Sequence, residues 1–171
     1  YLNLSNNILE LIEPGSFANL FKIKYLDLSF NRLNNFKKDL FDANNLEILE
    51  ILFLNNNFLF SLDNFFTPKL VELNSAQNNL QHFPSDLVFD RINLSKNRIQ
   101  NLTQEFLLNK NILKHFDLSQ NQIESLESNL FFDMFNLIDL DLSCNSIKDL
   151  NKPFNDLINL LYLNLSFNLI E

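Results

Sequence analysis

At 171 residues with 46% apolar side chains, the chain is long enough and apolar enough to bury a core, which excludes a disordered polymer. A net charge of −8 at pH 7 repels polyanions, so nucleic acid and acidic membrane surfaces are excluded as partners, and no apolar run approaches a membrane span. With Gly15 as the only glycine there is no phosphate loop, dinucleotide fingerprint or nucleophile elbow. His82 and His115 stand without partners at metal-ligand spacing, so neither an enzyme, a cofactor nor a metal is expected.

From the first residues onward the chain repeats one element. A strand-like pair of apolar residues is followed three residues later by an asparagine: Asn7, Asn31, Asn57, Asn78, Asn97, Asn121, Asn145 and Asn168, at spacings of 24, 26, 21, 19, 24, 24 and 23. Pairs such as Leu26-Asp27-Leu28, or Leu118 flanked by Asp117 and Ser119, alternate with period two and predict a strand buried on one face. In the third unit Leu46 to Leu52 offers competing registers, two extra residues enter near Ala43 to Asn45, and the strand is placed at Leu52 to Leu54. The fourth unit has Ser75 where an inward leucine is expected, and Pro84 follows, so a change of curvature is expected over residues 75–97. After each asparagine comes a second apolar pair, such as Ile123 and Leu126 or Ile147 and Leu150. A phenylalanine lies ten residues past the asparagine at Phe17, Phe41 and Phe131. Thr67, Leu107 and Asn155 take that place elsewhere, with Phe66, Phe106 and Phe154 next door. Glycine being scarce, asparagine is the expected residue wherever a turn needs positive φ.

The frame L-x-x-L-x-L-x-x-N-x-L, as in Leu137, Leu140, Leu142, Asn145 and Ile147, resembles the leucine-rich repeat family over essentially the whole chain. Serine stands two residues before the asparagine at Ser5, Ser29, Ser95, Ser119, Ser143 and Ser166. That phrase is similar to the typical extracellular class; the Gly-x-Ile-Pro step of plant receptors and the long helical repeats of the ribonuclease-inhibitor class are absent. The resemblance implies an α/β solenoid: a horseshoe of about eight repeats over 1–171, with a parallel sheet on the concave face. Loops, 3₁₀ turns or short helices would form the convex face, the asparagines a structural ladder and the phenylalanines a spine. Tyr1 to Ile8 and Glu171 fall inside repeats, so a segment without a signal peptide or an N- or C-terminal cap is expected.

The family binds partners through its concave face, and two patches are expected there. Tyr25, Phe30, Ile51, Phe53 and Phe58 group aromatic and apolar side chains at outward or edge positions. His115, Asp117, Asp139 and Asp141 form an acidic patch in which Asp117 and Asp141 repel unless a cation or basic partner relieves them. Four sequons begin at Asn3, Asn93, Asn101 and Asn164. Asn101 lies past the turn and is the best acceptor; the other three sit in strand centres, where a glycan would obstruct binding. Cys144, the only cysteine, forms no internal disulfide. The leading reading is a ligand-recognition module of an extracellular or cell-surface receptor, similar to Toll-like receptors, or of a secreted insect immune protein. Its partner would be a protein ligand or co-receptor, with lipid as a second class, and membrane attachment would lie outside this segment. A cell-adhesion or axon-guidance protein, and an intracellular scaffold or targeting domain, are the alternatives.

Overall fold

The computed structural model describes residues 1–36, 40, 46–62, 69–82, 89–104, 107 and 110–171. Eight short strands run in chain order: β1 (Leu2–Asn3), β2 (Tyr25–Asp27), β3 (Ile51–Phe53), β4 (Glu72–Asn74), β5 (Arg91–Asn93), β6 (His115–Asp117), β7 (Asp139–Asp141) and β8 (Tyr162–Asn164). They form one parallel sheet in sequential order, each strand beside the next, as a solenoid requires. Leu26 pairs with Leu52, Leu52 with Leu73, Leu73 with Ile92 and Ile92 with Phe116, so the inward residues form one column. Leu52 and Leu54 are both fully buried, so the expected inward pair of the third repeat is correct, although the strand itself starts one residue earlier, at Ile51. The core is the stack of these columns with the residue two past each asparagine: Leu33, Leu59, Leu80, Ile99, Ile123 and Ile147 are all inaccessible. Leu150, expected inside with Ile147, is half-exposed instead.

Every ladder asparagine after Asn7 joins two turns. Asn97 Nδ2 donates to Leu94 O of its own turn at 3.0 Å and to Ser75 O of the preceding one at 2.9 Å. Its Oδ1 accepts from Leu80 N, also of the preceding turn, at 2.9 Å. Asn31, Asn57, Asn78, Asn121, Asn145 and Asn168 repeat this arrangement, each reaching back one repeat. Asn7 bonds only within its own turn, to Leu4 O and Ser5 O.

Bringing the asparagine inward requires a reversal just before it. The preceding residue is left-handed in every repeat: Asn6, Phe30, Asn56, Gln77, Lys96, Gln120, Cys144 and Phe167, all with φ between 54° and 59°. The expectation that asparagine would fill such positions is corrected here, because six of these eight are other residues. A left-handed non-glycine residue costs roughly 1–2 kcal/mol. The hydrogen bonds gained outweigh it: Lys96 N donates to Ser119 O at 2.9 Å and Cys144 N to Ser166 O at 2.9 Å, alongside the asparagine's own bonds.

A second cap acts at the strand's end. The last strand residue is Asn or Asp in seven repeats, and its Oδ1 accepts the backbone N–H two residues on: Asn3 from Ser5, Asp27 from Ser29, Asn74 from Ala76, Asn93 from Ser95, Asp117 from Ser119, Asp141 from Ser143 and Asn164 from Ser166. The hydroxyls of Ser29, Ser95, Ser143 and Ser166 bond the same oxygen, which explains serine two residues before the ladder asparagine. Phe53 replaces this cap in the third repeat.

The described return segments at residues 14–22 and 128–136 are turns. Hydrogen bonds from residue i+3 to i link Ala18 to Gly15, Leu20 to Phe17, Met134 to Phe131 and Leu137 to Met134. The described residues contain no helix long and apolar enough to cross a membrane. Phe17 and Phe131 are buried, and Phe154 stacks on Phe131 with centroids 5.8 Å apart, while its neighbour Asn155 is exposed and Leu107 is buried. Phe41, Phe66, Thr67, Phe106, Pro84 and the stretch Ala43 to Asn45 lie outside the described residues.

Two outcomes follow for stability. Asn97→Ala leaves Leu80 N without its partner in a buried site, at roughly 1–3 kcal/mol for the group left unsatisfied, and takes one bond each from Ser75 O and Leu94 O, which keep those from Asn78 and Asn121, whereas Asn7→Ala costs about 1 kcal/mol or less because its bonds are exposed. Urea denaturation of the two variants should show that difference; equal losses would remove the cross-repeat role. Ser75 is fully buried and, among the described residues, its Oγ has no hydrogen-bond partner. Ser75→Ala should therefore stabilise the chain by about 1 kcal/mol, and a lowered denaturation midpoint would contradict it.

Candidate functional site

Alternation aims the first and last residues of β2 to β8, and Asn3 of β1, away from the core, and the sheet stacks them about 4.8 Å apart. The first-residue column reads Tyr25, Ile51, Glu72, Arg91, His115, Asp139 and Tyr162, and the last-residue column Asn3, Asp27, Phe53, Asn74, Asn93, Asp117, Asp141 and Asn164. One end of this face is aromatic and the other acidic.

At the aromatic end Tyr25 stacks on Tyr1 at 4.5 Å, with ring planes 22° apart, and meets Phe53 edge-on at 5.2 Å. Ile51 lies beside Tyr25 in register and Asp27 beside Phe53. Tyr25, Ile51 and Phe53 are each partly exposed, so ring faces remain open to a partner. Burial holds the Tyr25 phenol above its ordinary pKa, with the Asp27 carboxylate adding to the effect, so the hydroxyl stays protonated and able to donate at neutral pH. Phe30 and Phe58 do not join the cluster. Phe30 is the left-handed residue before Asn31 and Phe58 follows Asn57, which turns both toward the side of the array, where they are half-exposed. Among the described residues no ring contact links either to Tyr25 or Phe53. Tyr1, by contrast, was missed by sequence reasoning, although it stands 24 residues before Tyr25 and so in the equivalent place.

At the acidic end the structure brings His115, Asp117, Asp139 and Asp141 together around a shallow groove of about 270 Å³, which also takes in Glu72, Arg91 and Tyr162. His115 Nδ1 meets Asp139 Oδ2 across β6 and β7. Asp117 and Asp141 are register partners, as expected. Each gives one oxygen to a serine N–H, and Asp141 Oδ2 accepts from Asn164 Nδ2 at 3.1 Å. Among the described residues no group of three or more His, Cys, Asp or Glu is arranged to hold a metal. Two ion pairs flank the face, Lys24 with Glu50 at 2.6 Å and Lys114 with Asp90 at 2.8 Å. Both are largely exposed and contribute little to stability.

Of the sequon asparagines, Asn93 and Asn164 are half-buried and, with Asn3, serve as strand-end caps; Asn101 is exposed on the side of the array. Cys144 is a free, exposed thiol.

Leucine-rich repeat models match residues 89–147 and 1–20. No curated protein matches the chain by sequence. Among solved structures, the LRIM1/APL1C complex is 26% identical with a TM-score of 0.80, over 98% of this chain and 30% of that one. A leucine-rich repeat protein of Leptospira interrogans is 26% identical with a TM-score of 0.72, over 99% and 49%. TLR13 in complex with ssRNA13 is 23% identical with a TM-score of 0.83, over 95% and 24%. The chain thus spans from about a quarter to about a half of these proteins' lengths. The TLR13 complex also removes the support for excluding nucleic acid, since the same fold carries an RNA ligand there and only net charge argued against one here. Arrays of this kind are generally binding modules and not enzymes; residues 89–147 and 1–20 match leucine-rich repeat models, and the ladder and the parallel sheet of the described residues are similar to that family's fold.

Proposed function

We propose that the chain is the ligand-recognition part of an extracellular receptor or secreted immune protein, binding a protein partner through its concave face. The carrying observation is the Tyr1–Tyr25–Phe53 cluster. Three aromatic rings stand together, with Ile51 beside them, on a sheet face whose remaining outward residues are polar apart from Tyr162, and desolvating them on contact is favourable. Asp117, Asp139 and Asp141 at the far end give the same face a negative pole, which orients a partner carrying basic groups. Likeness to the LRIM1/APL1C complex supports a protein partner, and the TLR13 complex keeps a nucleic acid within the range of ligands to be screened. The exposed sequon at Asn101 supports passage through a secretory route.

Screened against purified secreted proteins, the chain should capture a partner whose affinity falls about tenfold or more on Phe53→Ser. The far-UV circular dichroism should not change, because Phe53 caps no turn and lies outside the core. Unchanged affinity would take the cluster out of the binding face. Protein secreted from insect cells should carry a glycan on the peptide containing Asn101, seen as a mass loss on endoglycosidase treatment; an unmodified peptide rules against the acceptor.

A further inference from the structure

Past each ladder asparagine the chain forms a second array of side-chain columns on the side of the solenoid. Asn79 N donates to Leu59 O at 2.7 Å, Arg98 N to Leu80 O at 2.9 Å and Gln122 N to Ile99 O at 2.9 Å, each reaching back one repeat. These bonds fix Leu80 and Ile99 inward and leave the residues on either side facing out. In repeats four to six those outward residues enclose a groove of about 350 Å³, lined by Gln81, His82, Arg98, Gln100, Asn101 and Gln122. That volume falls among small-molecule clefts, about 300–1,000 Å³.

The lining is unusual for this chain. Acidic residues outnumber basic ones 21 to 13, yet no carboxylate lines the groove among the described residues. Four of the six described lining side chains are amides, which offer donors and acceptors together, and Arg98 makes no ion pair among the described residues. Gln100 Nε2 donates to Gln122 Oε1 at 3.0 Å, which holds two of the amides in place. Such a surface suits a neutral ligand rich in hydroxyl and acetamido groups. One attachment point for such a ligand is part of the wall itself: Asn101 opens the sequon Asn101-Leu102-Thr103.

We infer that the groove seats the first sugars of the chain's own N-linked glycan at Asn101, with Arg98, Gln100 and Gln122 as hydrogen-bonding partners. The inference rests on the reading of Asn101 as an occupied acceptor. Covalent attachment keeps the sugar at high effective concentration, so weak, exposed hydrogen bonds are enough to hold it. The docked glycan would staple repeats four, five and six, where Ser75 and the two shortest repeats weaken the stack.

The test uses the glycoprotein secreted from insect cells, the same protein trimmed to its first N-acetylglucosamine, and the Asn101→Gln variant. The trimmed form should melt with the intact glycoprotein, and Asn101→Gln lower by about 2 °C or more. Arg98→Ala with Gln100→Ala should lower the midpoint of the glycoprotein while leaving that of Asn101→Gln unchanged, which a merely structural role for these exposed residues would not do. If mass spectrometry finds Asn101 unmodified, the acceptor reading fails and the inference with it. If Asn101 is modified but the midpoints coincide, or the double substitution acts equally in both backgrounds, the sugar is undocked and the inference alone is overturned.

Discussion

A buried amide side chain that bonds two turns at once holds this molecule in order. Asn57, Asn78, Asn97, Asn121 and Asn145 each satisfy a carbonyl of their own turn and a carbonyl and an N–H of the turn before, in places water does not reach. No hydrophobic contact substitutes for this, because the groups concerned are backbone and would be stranded in the core. The left-handed residue before each asparagine, the strand-end Asn or Asp and the serine that follows it all serve to present that amide inward.

With the interior so uniform, individuality is confined to the outward columns. The scaffold residues are nearly the same in every repeat, while the first strand residue runs from tyrosine through isoleucine, glutamate, arginine and histidine to aspartate. The same backbone therefore carries an aromatic end, an acidic end and, round the side, an amide-lined groove. Fold and binding chemistry are separable here at the level of single positions.

Much of this is legible in the sequence because period and alternation report burial directly. Leu52 and Leu54 face inward in the third repeat despite competing registers, since any slip would have put the whole pair outside. The left-handed residues were not legible: Phe30, Gln77, Lys96 and Gln120 have no preference for that conformation, and the ladder imposes it from outside the local sequence. Phe30 and Phe58 are outward or edge residues by the period, and half-exposed in the structure, but the period does not show that the turn at the asparagine keeps their rings out of contact with Tyr25. The repeated Asn or Asp in the middle of L-x-L was a visible signal for the strand-end cap, whose meaning required seeing which N–H it faces. The lateral groove gathers residues from three repeats, and depends on how those repeats stand side by side.

The uneven repeats carry a last consequence. Asn57 follows Asn31 at a spacing of 26 and Asn97 follows Asn78 at only 19, yet Tyr25 still faces Ile51 and Glu72 still faces Arg91. Differences in length are absorbed on the return path and never reach the sheet. A lineage carrying such a chain can therefore gain or lose residues on the outer side without scrambling what its inner face displays, so that the molecule can be lengthened, shortened or ornamented while its ligand sees the same surface.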